Sequence, residues 1–150
     1  MENNNRQSIW EKVEPLLLSG KQKDYLLHSR IVERAMKEII SGEGGQSDIL
    51  IPAAILHDVG WSEVSPDLQL AEDEANKHRA LVEHIEKAPP IIRKILSELG
   101  YDKDIIQKII DLVIAHKFTH CSENFSIHPI FCLTLLFCIF SNVVIAMVFK

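Results

Sequence analysis

His57 and Asp58 stand side by side at the end of an apolar run, Ile49 to Val59, that reads as a buried helix. A carboxylate in that position is costly unless it is paired. It also sits at the negative end of the helix dipole, where a cation is welcome. A divalent metal ion would answer both problems. Successive helix positions point about 100° apart, so the two side chains need not serve an ion in the same way. His28, His84 and His116 fall at helix ends or on apolar faces. Singly, each is the kind of histidine that one hydrogen bond satisfies in a core, and His116 at a helix end suits the dipole as a cation. Taken together with Asp58, four such histidines form an imidazole–carboxylate set suited to a borderline transition metal or Mg²⁺. Glu63, five residues past Asp58, is a candidate acid/base group, and Lys117, next to His116, a candidate phosphate contact. Both are residue types more often found solvated. Arg30 and Trp61 are weaker candidates, Trp61 as a wall of the site. His78 falls on a polar stretch and is expected to be exposed.

The elements that must position these groups read as helices, with little strand signal. Ile9, Val13, Leu16 and Leu17 mark a first helix, with Pro15 suggesting a kink or an early stop. Residues 1–5 are polar and expected to fray. Asp24 can cap a second helix whose core face is read as Leu27, Ile31, Ala35 and Ile39, with His28 on the same broad face; Gly42, Gly44 and Gly45 end it. Ser47 or Asp48 caps the third helix, and Gly60 stops it. Residues 61–67 read as a loop, followed by a polar helical stretch over about 68–88. Pro89-Pro90 predicts a fresh helix start running to Leu99, with Gly100 as its stop. A last helix, capped by Asp102, carries Ile105, Ile106, Ile109, Ile110, Val113 and Ile114 to His116.

The chain has 150 residues and a formal net charge of −5. That length fits one domain able to bury a core without disulfides, and the charge argues against a nucleic-acid polymer as partner. Three Cys and no recognisable signal peptide point to a reducing, cytoplasmic setting. No Gly-rich phosphate loop and no internal repeat is present.

With these residues in place, the sequence resembles the HD superfamily of metal-dependent phosphohydrolases. His28-Ser29-Arg30-Ile31-Val32 through Ala35 is similar to its opening histidine motif, and Ile51 through Gly60, containing His57-Asp58, to its signature helix. His84 with Ala88, Ile91, Ile95, Leu96 and Leu99-Gly100-Tyr101-Asp102 is similar to the third histidine segment, and Ile110 to His116 to the fourth. The resemblance covers about 24–117. It implies an all-α, HD-type helical bundle with a central metal site. It also implies hydrolysis of a small phosphate ester, with nucleotides among the candidate substrates, and one or two divalent ions (Mn, Co, Ni, Fe, Mg or Zn) per chain. Carried over, His28, His57 and Asp58 would hold the first ion and His84 and His116 a second, with Asp58 able to bridge them. The family pattern closes with an Asp after the fourth histidine, and this chain has no Asp after His116. The departure motivates an alternative: a catalytically impaired, HD-type metal- or ligand-binding domain, which its C-terminal tail could tether to a membrane.

The chain thus divides into an N-terminal helix and start (1–23), an HD-like region (24–117) and an atypical tail (118–150). All six Phe and all three Cys lie in that tail, and Ile130 to Phe149 is 20 residues without a charge. A stretch of ~20 apolar residues is long enough to cross a bilayer. A membrane anchor, a buried final helix and an aberrant end are the competing readings, the last favoured because the composition breaks where the resemblance stops.

Overall fold

Six α-helices and one short 3₁₀ turn make up the described part of the chain, and no strand occurs among the described residues. The structure is a computed structural model that describes residues 2–20 and 24–118, with side chains over 6–20 and 24–115. The helices are α1 (Glu2–Ser19), α2 (Tyr25–Glu43), α3 (Ser47–Leu56), α4 (Pro66–Gln69), α5 (Glu74–Glu98) and α6 (Lys103–Phe118), with the 3₁₀ turn Val59–Glu63 between α3 and α4. The all-α reading of the sequence holds.

Helix α3 forms the centre. Ile49, Leu50 and every residue from Pro52 to Leu56 are buried, as expected of a helix apolar on all sides. It packs against α1, α2 and α6, while the 3₁₀ turn lies against α5 and α1, and α5 against α6. Each large aliphatic side chain fully buried there stabilises the fold by roughly 1.5–3 kcal/mol. Helix α1 adds Ile9, Trp10, Val13 and Leu17 to this same core.

Several boundaries differ from the sequence reading. Helix α1 begins at Glu2, so the polar start is helical rather than frayed, and Pro15 lies inside α1 without stopping it. Pro89 and Pro90 do not begin a new helix either: α5 runs unbroken for 25 residues through both. Its apolar face runs across them, from Ala88 on one side to Ile92, Ile95 and Leu96 on the other, all buried, so tertiary packing outweighs the lost backbone bonds that proline imposes. The segment 61–67 is structured as well. Ser65 caps α4 by accepting from the Leu68 amide at 3.4 Å, and Pro66 occupies the first turn, where its missing N–H is harmless. Helix α3 stops at Leu56 rather than Val59, leaving His57 as its C-cap and Asp58 as the residue that starts the 3₁₀ turn. Gly44 (φ 82°) ends α2 as the sequence indicated.

The largest difference concerns which side of α2 faces inward. Leu27 and Ile31, read as core, are 61% and 45% exposed. The buried strip is Tyr25, Ser29, Val32, Glu33 and Met36. Its polar members obscured the pattern. Glu33 is buried because it is fully met by partners. Arg6 Nε and Nη2 donate to its two oxygens, Trp10 Nε1 donates to Oε2 at 3.2 Å, and Lys37 Nζ lies 2.9 Å from Oε1.

Candidate metal centre

Asp58 is buried, and three imidazoles converge on its carboxylate. His57 Nε2 lies 3.1 Å and His28 Nε2 3.6 Å from Oδ2, while His84 Nε2 lies 3.6 Å from Oδ1. The rings of His28 and His57 meet edge to face at 5.1 Å. One ligand atom from each of His28, His57 and Asp58 falls within 4.8 Å of the others, a grouping that could hold a metal ion.

Each group arrives by a different element. His28 comes from the edge of the buried strip of α2, one turn beyond Tyr25, and its side chain stays 36% exposed. His57 caps α3 and Asp58 begins the 3₁₀ turn, so a change of helix type throws adjacent residues toward one point. His84 comes from the middle of α5 and is buried. Close approach of α5 to the turn depends on Gly60: a Cβ there would lie 2.1 Å from the His84 carbonyl oxygen and 3.0 Å from the Ala88 amide.

The chemistry of the donors fits a cation. His57 Nδ1 lies 2.9 Å from the Ala54 carbonyl. A carbonyl only accepts, so Nδ1 carries a proton and donates. In the neutral ring, Nε2 then turns its lone pair toward Asp58 Oδ2, an arrangement relieved by positive charge between them: a second proton on the ring or a metal ion. Two imidazoles and a carboxylate are a donor set suited to first-row transition metals, and the Nδ1–H donation to a carbonyl is the outer support that ligating histidines generally show.

A stack of rings braces the centre. Trp61 is sandwiched between Tyr25 (5.6 Å between centroids, 13° between planes) and His84 (4.5 Å, 14°). Its amide donates to the Asp58 carbonyl at 3.1 Å, and its own carbonyl accepts from buried Gln69 Nε2 at 3.0 Å. Gln69 Nε2 also reaches the Val64 carbonyl at 2.7 Å, tying the turn to α4. Burial, and then the charge of Asp58, push the Tyr25 hydroxyl's pKa up, so it remains protonated. The sequence offers Trp61 as a candidate wall, and the structure stacks it on His84; the sequence gives no sign of Tyr25 or Gln69. An aromatic or amide in a helical pattern carries no signal of its ring or hydrogen-bond partner.

The remaining candidates sit elsewhere. Glu63 is exposed and lines a groove of ≈ 530 Å³ with Lys12, Lys87 and Lys94, none of whose lining residues belongs to the His–Asp cluster. Arg30 lies over the Trp10 ring at 3.9 Å and bonds Glu14 at 3.0 Å, so it braces α1 rather than the centre. His78 is exposed, as read. His116 and Lys117 lie in the last turn of α6, and their side chains fall outside the described residues, as does the 130–149 stretch. Among the described residues no helix is long and apolar enough to cross a membrane.

Fold and site together define an all-α protein with a His–His–Asp cluster able to hold a metal ion. Comparison with protein-family models, curated proteins and solved structures gave no match to the chain.

Proposed function

We propose that the chain is an HD-type, metal-dependent phosphohydrolase acting on a small phosphate ester, with His28, His57 and Asp58 as the first metal ligands. The observation that carries this reading is the meeting of Asp58 Oδ2 with the Nε2 atoms of His57 and His28, from two separate helices, in a largely buried centre. Resemblance of the four histidine segments supplies the reaction class. His84, on the other oxygen of Asp58, is the member of a second-ion pair whose position the structure describes. A divalent ion held there supplies Lewis-acid stabilisation of phosphoryl charge and acidifies water. The chain's own residues hold and orient: the Ala54 carbonyl fixes the His57 tautomer, Trp61 fixes the plane of His84, and burial of Asp58 keeps its charge from being screened.

The absence of an Asp after His116 favours a second reading, a metal-binding domain without turnover. One experiment separates them. Elemental analysis of the purified chain, alongside His57→Ala and Asp58→Ala, should find near-stoichiometric transition metal that both substitutions remove. Metal-dependent release of phosphate across a panel of phosphate esters, abolished by Asp58→Ala, would establish the hydrolase. Metal without turnover would establish the binding domain. No retained metal after incubation with Mn²⁺ or Co²⁺, or full activity in Asp58→Ala, would sink the proposal.

A further inference from the structure

Away from the His–Asp cluster, a groove of ≈ 530 Å³ opens between α1, the end of the 3₁₀ turn and the second half of α5. That volume lies within the range of small-molecule sites. Lys87, Ile91, Lys94, Ile95 and Glu98 line it from α5, at the three- and four-residue spacing that keeps side chains on one helix face. Its apolar side is Ile91 and Ile95, joined by Leu16 from α1. Ile95 is buried, while Leu16 and Ile91 are half-buried against the core. Aliphatic surface left half-covered gains by being covered further.

The charges around this apolar side are uneven. Lys12 Nζ bonds Glu98 Oε2 at 2.6 Å, tying α1 to α5. That bond holds the Glu98 carboxyl below its usual range, with Lys94 adding a smaller attraction. Lys87 and Lys94 are exposed, and neither makes a hydrogen bond or a contact ion pair among the described residues. The carboxylate that opposes them is Glu63, exposed at the end of the 3₁₀ turn. In a chain of formal net charge −5, the groove therefore gathers an excess of ammonium groups beside apolar surface. Lys87 and Lys94 lie two turns apart, about 10 Å along the axis, with Ile91 between them. Lysine stems are long and flexible, so both ammonium groups can reach one anionic head placed over Ile91. Glu63 leaves an excess of a single positive charge, which matches a carboxylate better than a doubly charged phosphate.

We propose that this groove binds a small amphipathic anion, an aliphatic chain ending in a carboxylate, with its apolar body on Leu16, Ile91 and Ile95 and its head between Lys87 and Lys94. The groove shares no residue with the His–Asp cluster, so the proposal stands apart from the metal-centre reading.

The test titrates decanoate, below its micellar concentration, into the full chain and follows the heat of binding. Saturable binding at one site per chain is expected, weakened by high salt. The double substitution Lys87→Gln with Lys94→Gln changes two exposed positions and should leave the thermal melt as it is. It should weaken decanoate binding about tenfold, while the affinity for uncharged decanol stays the same in both chains. Absence of saturable binding, equal decanoate affinity in the two chains, or decylammonium bound as tightly as decanoate would each overturn the proposal. So would butyrate bound as tightly as decanoate, since the apolar side would then contribute nothing. A dimer seen by sedimentation that excludes decanoate and dissociates in the double variant would overturn it in favour of a second copy of the chain.

Discussion

Gly60 shows how much of the centre rests on a single missing side chain. Its φ is ordinary, and what forbids a Cβ is the carbonyl of His84, 2.1 Å from where that atom would stand. Backbone cannot swing aside as a flexible side chain can, so Gly60→Ala must move the 3₁₀ turn off α5. The expected cost is about 3 kcal/mol, read as a lower midpoint in urea. Because Trp61 and Asp58 move with the turn, metal retention should fall as well. Unchanged stability in Gly60→Ala would contradict the close packing described. His28 marks the other limit at this scale: at the edge of the buried strip, it reaches Asp58 while keeping a solvent-facing side.

Among the elements, the joint between α1 and α2 is made by charge. Burial raises the pKa of Glu33, but the hydrogen bonds and charges of Arg6 and Lys37 outweigh that effect and hold it below the usual Glu value. A carboxyl held low in the folded state contributes stability that is complete above its unfolded value, near 4.5, and is lost as pH falls through the lowered folded value. Glu33→Gln should therefore destabilise the chain at pH 7 by about 1–3 kcal/mol. The gap from wild type should close as the urea midpoint is followed below pH 4.5. A gap that persists unchanged into acid would show that the carboxylate's charge contributes nothing. The joint also explains the phase of α2: satisfying Glu33 turns Leu27 and Ile31 outward.

At the scale of the whole molecule, the His–Asp cluster draws on α2, on the end of α3 and on α5, elements that share one core. An ion bound there engages the folded chain and not the unfolded one, so it should raise the melting temperature by mass action. At free metal one hundred times Kd the gain is about 2.7 kcal/mol, which for a chain of this size is roughly 5–10 °C. Differential scanning calorimetry with and without Mn²⁺, then with EDTA, checks it. No shift in wild type, or an equal shift in Asp58→Ala, would count against the centre.

The sequence by itself determined the helical class, the central place of α3 and the candidacy of His28, His57, Asp58 and His84. These follow from apolar periodicity and from the oddity of a charged group at the end of a buried apolar stretch, both of which are local. Tertiary structure decided which oxygen of Asp58 each imidazole meets, that Glu63 and Arg30 face other surroundings, that two consecutive prolines sit inside one helix, and which side of α2 is buried. Each of those depends on partners remote in the chain: Arg6 for Glu33, the α5 backbone for Gly60, Trp61 for Tyr25 and His84. Spacing along a helix fixes the angles between its side chains but not the absolute direction, and only packing against other helices supplies that.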